Sequence, residues 1–265
     1  MNGYNILAEI IACPACSSNL PIGNMDTRVM CRGCKSTFIK GKYIWNFVPP
    51  VIDWSSPMWQ TWQQLQDNGM VSYQSDPEHN LAVGTRKDSQ DFAKFCHCSG
   101  LVLDVGCGPQ SWPSYFKRTE ETIYVGIDPL VQDVPGEFLK LKGLAEFLPF
   151  RARVFDHVLF ATSLDHFVDP FAALKAAARV CKSTGEIDIW LGEKGVGAPS
   201  PAVSPEWYRQ LRKPDLAADL FHIKRLSRDV FINIAVASGL TLVQTEVHAV
   251  DKYRTNYFYR LRSSR

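Results

Sequence analysis

Four groups of residues in this chain could do chemistry. Cys13-Pro-Ala-Cys16 and Cys31-Arg-Gly-Cys34 are two Cys-x-x-Cys pairs with fourteen residues between them. Two such turns facing each other supply four thiolates, the tetrahedral set that suits zinc, and Gly33 fits the tight knuckle such a site needs. A closed four-cysteine site has no open coordination position, so the metal is either a staple for a small ribbon or part of a docking surface. Two unrelated redox pairs are the competing reading, and the matched spacing argues against it. The second group is Leu101-Val-Leu-Asp-Val-Gly-Cys-Gly-Pro109, an apolar run that breaks into glycines. Gly106 and Gly108 let backbone approach a ligand, and Cys107 between them reads as a small filler. Tyr124-Val-Gly-Ile-Asp128 closes a second apolar run with a carboxylate placed to accept hydrogen bonds from two ribose hydroxyls. The third group is Thr162-Ser-Leu-Asp-His166, which brings Asp165 and His166 to the end of another apolar run, and the fourth is His222 in Asp219-Leu-Phe-His-Ile-Lys224. An imidazole or carboxylate there could take a proton from a nucleophile. His157 lies inside an apolar run and reads as core, and Cys96-His-Cys98 lacks the second pair a metal site would need.

Elements must hold these groups in place. Strands are expected near 101–105, 122–127, 137–141, 154–160 and 186–191, with helices near 88–96, 111–118 and 170–182. Asp169 is the N-cap of the last of these and Pro170 its first turn, with a stop near Gly185. Strands that alternate with helices make a parallel sheet, and ligands bind at the carboxyl ends of its strands. Residues 204–235 read as helical and mobile, and Thr241–His248 with Tyr253–Leu261 as a final antiparallel pair. Before the first core strand, alternating runs around 29–47 suggest hairpins. Trp54, Trp59 and Trp62 follow on a connector, the last two three apart on a helix, as interdomain packing or as a wall for an aromatic or sugar substrate. His79, Asn80 and Arg86 lie in a polar segment ahead of the core. They are candidates for ligand contact or for an ordinary loop.

The run Val-Leu-Asp-Val-Gly-Cys-Gly108 resembles the first motif of class I S-adenosylmethionine-dependent methyltransferases. Gly126-Ile-Asp-Pro129, Leu144-Ala-Glu-Phe-Leu-Pro-Phe150, Phe155–Ser163 and Asp169-Pro170 with Gly185–Trp190 resemble that family's later motifs, in its order, from about 95 to 192. The resemblance implies an α/β fold, a Rossmann-like seven-stranded methyltransferase sheet, with S-adenosylmethionine as cofactor. It implies cofactor contacts from Asp104, Gly106, Cys107, Gly108, Asp128, Pro129, Ala145, Glu146, Thr162 and Arg86. Two departures stand out: Ser111 replaces the third glycine of a dinucleotide fingerprint, which disfavours NAD, and Leu144 replaces an acid for the adenine amino group. The adenine is then held by the backbone of Ala145 and by packing. The cysteine ribbon resembles the small zinc-ribbon module of the tRNA methyltransferase activator type, with Cys13, Cys16, Cys31 and Cys34 as zinc ligands. The expected organisation is a ribbon over 1–48, connector and cap helices over 49–98, and a methyltransferase domain over 99–265 with an insertion at about 195–228.

Composition narrows the acceptor only slightly. The chain has 265 residues, 46% of them hydrophobic, and a net charge of +2, so no overall field advertises nucleic acid or an anionic membrane. No apolar stretch is long enough to span a bilayer, no secretory signal is visible, and eight cysteines without one suggest a reducing cytoplasm. Three readings follow. The first is methyl transfer to a small molecule or sugar, by O-methylation in glycan or secondary-metabolite biosynthesis, with His166 or Asp165 as base and His222 in reserve. The second is an RNA base methyltransferase that docks RNA through the ribbon, with Lys35, Lys40, Lys42, Arg209, Arg212 and Arg225 as a basic patch. The third is a catalytically silent interaction module, against which the retained Asp104, Gly106, Gly108 and Asp128 argue. Oligomeric state is not legible.

Overall fold

The computed structural model describes residues 3–23, 25–81, 84, 86–113, 116, 119–195 and 205–264. Among the described residues, one mixed sheet of ten strands forms the centre. Strands β4 (Gly100–Val105), β5 (Thr122–Ile127), β6 (Leu139–Lys142), β7 (Phe155–Ala161) and β8 (Cys181–Lys194) are parallel, in the order β6-β5-β4-β7-β8. The antiparallel strands β10 (Arg254–Ser263) and β9 (Leu240–Ala249) follow β8. These seven give the sheet that the motifs imply. Val102, Leu103, Val105, Val125, Val158, Leu159 and Phe160 are buried, as expected for parallel strands covered on both faces, whose sequences read as unbroken apolar runs.

The cysteine segment joins the same sheet. Strands β1 (Arg28–Met30), β2 (Thr37–Lys40) and β3 (Trp45–Asn46) form an antiparallel meander, and β3 then pairs in parallel with β6, Trp45 opposite Leu141. Phe38, Trp45 and Phe47 are buried in one continuous core with Leu141, Phe150 and Phe155. A short helix, α1 (Gly3–Ile10), contributes Ile6, Leu7 and Ile10 to that core. The turn between β2 and β3 is clamped from the other side: the exposed Asp133 carboxylate accepts from the backbone N–H of Lys42, Tyr43 and Ile44 at 2.7–2.9 Å.

The connector is mostly one long helix, α2 (Pro57–Ser75), followed by the single turn α3 (Pro77–Asn80) and by α4 (Lys87–Cys96). Helix α2 begins with Ser56 as N-cap and Pro57 behind it, the expected start chemistry. Trp59 and Trp62 both lie on α2 and pack edge to face at 5.3 Å, with Trp54 closing the cluster against Leu144, Ala217 and Ile223. Helix α5 (Pro170–Val180) starts on the Asp169 cap, which accepts from Ala172 N at 3.1 Å, and stops five residues before Gly185.

Two helical expectations need correction. Of 204–235, only α6 (Glu206–Gln210) and α7 (Arg228–Ala237) are helical. Residues 211–227 are irregular, because Pro214 breaks the ladder and Asp219 turns the chain by accepting from Phe221 N and His222 N. In the helix expected near 111–118, residues 114, 115, 117 and 118 lie outside the described residues, and Ser111–Pro113 are not helical. Residues 196–204 of the expected insertion also lie outside them.

Candidate functional site

A cavity of about 350 Å³ opens at the carboxyl ends of the parallel strands, under α2 and α3. Of the ten expected cofactor contacts, Gly106, Cys107, Gly108, Asp128, Pro129, Ala145, Glu146, Thr162 and Arg86 line it. Asp104 does not. It is fully buried one position before the strand end and accepts a short hydrogen bond from the Tyr124 hydroxyl. Its carboxylate therefore fixes β4 against β5 from within the core.

The two glycines of the turn differ in their reasons. Both have left-handed backbone, with φ of 83° at Gly106 and 69° at Gly108. A Cβ at Gly108 would meet nothing nearer than the Tyr73 hydroxyl at 3.8 Å, so this position opens onto the cavity. A Cβ at Gly106 would lie 2.4 Å from the Cβ of Ser163. Protein packing by itself therefore requires glycine at 106, which also lines the cavity. Ser163 uses that contact to donate its hydroxyl to Val105 O at 2.5 Å, which ties the end of β7 to the end of β4. Cys107 turns its thiol inward onto Gly126, where burial pushes its pKa well up, as a filler rather than a nucleophile.

Asp128 is buried and held from two sides. Gly108 N donates to one oxygen at 2.9 Å and Leu130 N to the other at 2.7 Å. Each carboxylate oxygen keeps a further lone pair for a hydroxyl donor. Burial pushes its pKa up to about 6, against the pull of those amides and of Lys140 and Lys142. Facing it across the glycine turn stands Tyr73 of α2, whose own pKa is raised by burial and then by Asp128. This buried carboxylate, the open cradle at Gly108 and the adjacent half-polar cavity fit the ribose and chain of an adenosyl cofactor.

Glu146 reaches the cavity, but its Oε1 is committed to the backbone N–H of Val168 and Asp169, at 2.9 and 3.1 Å. Thr162 sits at φ 58°, a left-handed conformation that a β-branched side chain avoids, so the end of β7 is strained at the cavity wall. Arg86 pairs with Asp88 near the surface. His79 and Asn80 line the cavity as well, although the Asn80 amide caps α2 through Ser72 O and Asp76 O.

The remaining candidates form a single cluster. Asp165 and His166 lie on a 3₁₀ turn after β7, and His222 comes from the irregular segment before α7. The two imidazole rings lie 4.1 Å apart, and both line the cavity, while Asp165 sits behind them. His166 Nδ1 is 2.9 Å from Phe221 O; a carbonyl only accepts, so that nitrogen carries the proton and Nε2 the lone pair. Removal from water, and then its neighbour His222, push the His166 pKa down to about 4, which keeps the ring neutral at neutral pH. His222 Nδ1 is 2.7 Å from Asp219 Oδ1. Burial raises the Asp219 pKa, but the bonds from His222 and the backbone and the charge of Arg225 outweigh it, so the carboxyl lies well below its usual range. Arg225 bridges Asp219 at 2.8 Å and Asp165 at 3.3 Å. Sequence reasoning named each imidazole; it missed Asp219 as the partner that orients His222, although the three-residue spacing Asp219–His222 carried that signal. Tyr73, Gln110 and Trp190 also line the cavity without having been singled out.

At the β1–β3 edge of the sheet the four cysteines meet. Cys13 and Cys34 Sγ are 3.5 Å apart, as are Cys16 and Cys31 Sγ. All four sulfurs lie within 4.8 Å of one another, and tetrahedral sulfurs around an ion with bonds of about 2.3 Å lie about 3.8 Å apart, so the set is compatible with zinc. The knuckles are duplicates: Cys13 N pairs with Ser18 O and Ser17 N with Cys13 O, as Cys31 N does with Ser36 O and Lys35 N with Cys31 O. The left-handed positions are Ser17 at φ 59° and Lys35 at φ 64°, each just after the second cysteine, and not Gly33. Gly33 is small for another reason, since a Cβ there would lie 2.7 Å from Ser18 Oγ. The hydroxyls of Ser18 and Ser36 hold the Cys16 and Cys34 thiols below their ordinary pKa, Cys16 at about 6, whereas burial raises Cys13.

Residues 103–189 match the family model described as "Methyltransferase domain". No curated protein matches the chain by sequence. Among solved structures, the chain is similar to the 1,6-didemethyltoxoflavin-N1-methyltransferase of Burkholderia thailandensis, solved with 1,6-didemethyltoxoflavin and S-adenosylhomocysteine. The identity is 13%, the TM-score 0.57, and the match covers 89% of this chain and 98% of that one. It is also similar to phosphoethanolamine N-methyltransferase 2 of Haemonchus contortus, at 12% identity and TM-score 0.54, over 82% of this chain and 61% of that one. A putative methyltransferase of Bacillus halodurans matches at 15% identity and TM-score 0.50, over 67% and 99%. With the strand order, the glycine turn and the buried Asp128 already in place, the family match at 103–189 identifies what the sheet carries: a class I S-adenosylmethionine-dependent methyltransferase domain.

Proposed function

We propose that this enzyme methylates a hydroxyl of a small-molecule or sugar acceptor, which the cluster of Asp165, His166 and His222 activates. S-Adenosylmethionine supplies an electrophilic methyl on a good leaving group, so the protein's work is to align a nucleophile and strip it of its proton. The observation that carries the reading is the pair of cavity-lining imidazoles, with His166 fixed through Nδ1 so that its Nε2 lone pair is available. A nitrogen that is neutral at about pH 7 already carries a nucleophilic lone pair, whereas a hydroxyl becomes a good nucleophile only as its proton leaves, so a proton-accepting cluster suits an oxygen acceptor. Asp128, Gly108 and Ala145 are the residues that would hold the cofactor's ribose and adenine, with Asp128 accepting from the ribose hydroxyls.

Cofactor and acceptor must share the one cavity under the α2 cap, and the room left beside the cofactor suits a small acceptor. The RNA reading loses support because Arg225, one of its six basic residues, is engaged with Asp165 and Asp219. We infer further that the four cysteines hold one zinc ion as a structural staple, since their sulfurs converge and no coordination position is left open. The decisive experiment measures S-adenosylhomocysteine binding by calorimetry and tritiated-methyl transfer to sugar, metabolite and RNA pools, in wild type and His166→Ala. The expected result is cofactor affinity unchanged within about twofold and transfer slowed by about 10²–10⁴. Full activity in His166→Ala would remove the cluster from the reaction.

A further inference from the structure

We propose that Asp165, His166 and His222 form a binding site for a divalent cation, and that this ion takes an oxygen of the methyl acceptor. The second half of that statement rests on the hydroxyl-transfer reading above; the cation site does not.

The geometry points to it in three ways. One donor atom from each residue lies within 4.8 Å of the others. His222 Nε2 is 3.5 Å from Asp165 Oδ2 and His166 Nε2 is 3.9 Å from Asp165 Oδ1. These separations are longer than a hydrogen bond, so the facing atoms are not engaged with each other in that way. They approach the edges of about 3.0–3.4 Å that a coordination shell with bonds near 2.1 Å would have.

The second observation is the outer layer. A histidine that binds a metal nearly always donates its other ring N–H to a carbonyl or a carboxylate, which fixes the tautomer and turns the lone pair toward the ion. Both imidazoles here have that arrangement: His166 Nδ1 is held by Phe221 O at 2.9 Å and His222 Nδ1 by Asp219 Oδ1 at 2.7 Å. A single base would require one such partner, and two oriented Nε2 atoms around one carboxylate match a ligand set. The third observation is charge. The fixed charges are two carboxylates, Asp165 and Asp219, against the one guanidinium of Arg225. One negative charge is left over in a cluster where Asp165 and His222 are almost fully buried.

Two imidazoles and one carboxylate suit the mid-row divalent ions and zinc, and three ligands leave coordination positions open. His166 and His222 line the cavity, so those positions are reached from the acceptor's side. With the ion bound the Nε2 lone pairs are its ligands, so the cluster activates the acceptor through the ion: a hydroxyl bound there loses its proton to water as its oxygen coordinates the ion. That oxygen then forms the new O–C bond while the S–C bond of the cofactor breaks, and the bonding pair returns to sulfur, which becomes neutral. A hydroxyl with a second oxygen beside it, as in a sugar diol, would fill two positions.

The test is titration of the full chain with Mn²⁺, followed by electron paramagnetic resonance of the free ion, alongside elemental analysis. Mn²⁺ is chosen because thiolates bind it poorly, so the cysteine site does not interfere. Wild type is expected to take one Mn²⁺ per chain, or to carry one resident divalent ion beyond the one expected at the cysteines. Asp165→Asn and His222→Gln should weaken that binding by at least about 100-fold, and Asp219→Asn by about 10–100-fold. Thermal melting and S-adenosylhomocysteine calorimetry establish that each variant is folded. If wild type binds no Mn²⁺ and carries no second ion, or if Asp165→Asn and His222→Gln bind as wild type does, the cation site is overturned. Failure of wild type to bind S-adenosylhomocysteine would instead sink the methyl-transfer reading and leave the cation result standing.

Discussion

The cysteine knuckles and the histidine cluster are two convergences of ligand-type side chains built on opposite plans. Each knuckle is made by six consecutive residues, and the two copies share their backbone hydrogen bonds and their left-handed residue. The histidine cluster draws Asp165 and His166 from the end of β7 and Asp219, His222 and Arg225 from an irregular segment more than fifty residues on. The knuckles are closed and joined to the core through β3, whereas the cluster borders a cavity. Local repetition makes a rigid staple that can be read from spacing. A site that must admit a substrate is assembled across the fold, where one element can move without unmaking the other.

The largest expected effect tests the staple. Cys31→Ala should remove the metal and unpin β1–β3 from the sheet, costing about 4 kcal/mol or more of stability in chemical denaturation. An unchanged midpoint would mean that Phe38, Trp45 and Phe47 hold the ribbon without an ion. Next, Gly106→Val forces a side chain against Ser163 and out of left-handed backbone, with an expected loss of about 3 kcal/mol. That loss should appear in the unliganded protein. A variant of normal stability with no cofactor binding would return Gly106 to a ligand-facing role.

A third prediction concerns pH. Asp128 has a folded pKa of about 6, above its ordinary value, and ribose hydroxyls that donate to it favour the ionised form. Cofactor affinity measured by calorimetry should therefore rise as pH rises toward 6, by up to about tenfold per unit, and then level off. Asp128→Asn should abolish the slope as well as weaken binding. The same raised pKa means the folded chain binds the proton more tightly than the unfolded chain does. Asp128 therefore favours folding at low pH, and that contribution falls away as pH rises through about 4 to 6. His166 acts in the opposite sense. Its folded pKa of about 4 lies below the ordinary 6.5, so its contribution is intact above pH 6.5 and is lost as pH falls toward 4.

The smallest effect sharpens the comparison most. Asp133→Ala removes three backbone acceptor contacts on the β2–β3 turn, but the carboxylate is exposed, so the cost should be only about 1 kcal/mol. Hydrogen exchange should show faster amides at Lys42–Ile44 with the cavity unaffected. Faster exchange around Asp128 as well would mean that the ribbon and the cofactor strand are coupled.

Much of this molecule was legible because its signals are local. Val102–Val105 and Tyr124–Ile127 are buried on both faces, so their strands show as apolar runs, and the Asp169-Pro170 start of α5 uses cap chemistry that sequence states directly. Asp128 could be placed because a strand end fixes where its side chain goes. The cysteine spacing gave the convergence for the same reason. What stayed hidden depends on partners far along the chain. Gly106 carries a packing demand that only Ser163 against it reveals, and Asp104 looks like a site carboxylate until Tyr124 is seen to hold it in the core. Residues 204–235 read as a mobile helix, but Pro214 and Asp219 break it into the turn that delivers His222.

The sequence by itself determined the order of the core strands, the glycine turn, the carboxylate that follows it and the two matched cysteine turns. Each of these is written within about ten consecutive residues, where backbone preference and alternation decide the outcome. Only the tertiary structure decided that the ribbon strands extend the main sheet through β3 and β6, and that Tyr73 closes over the glycine turn. It alone turned two separate histidines into neighbours 4.1 Å apart around one carboxylate. Such contacts arise from the packing of whole elements, and the energy that selects them is spread over a core that no short stretch of residues contains.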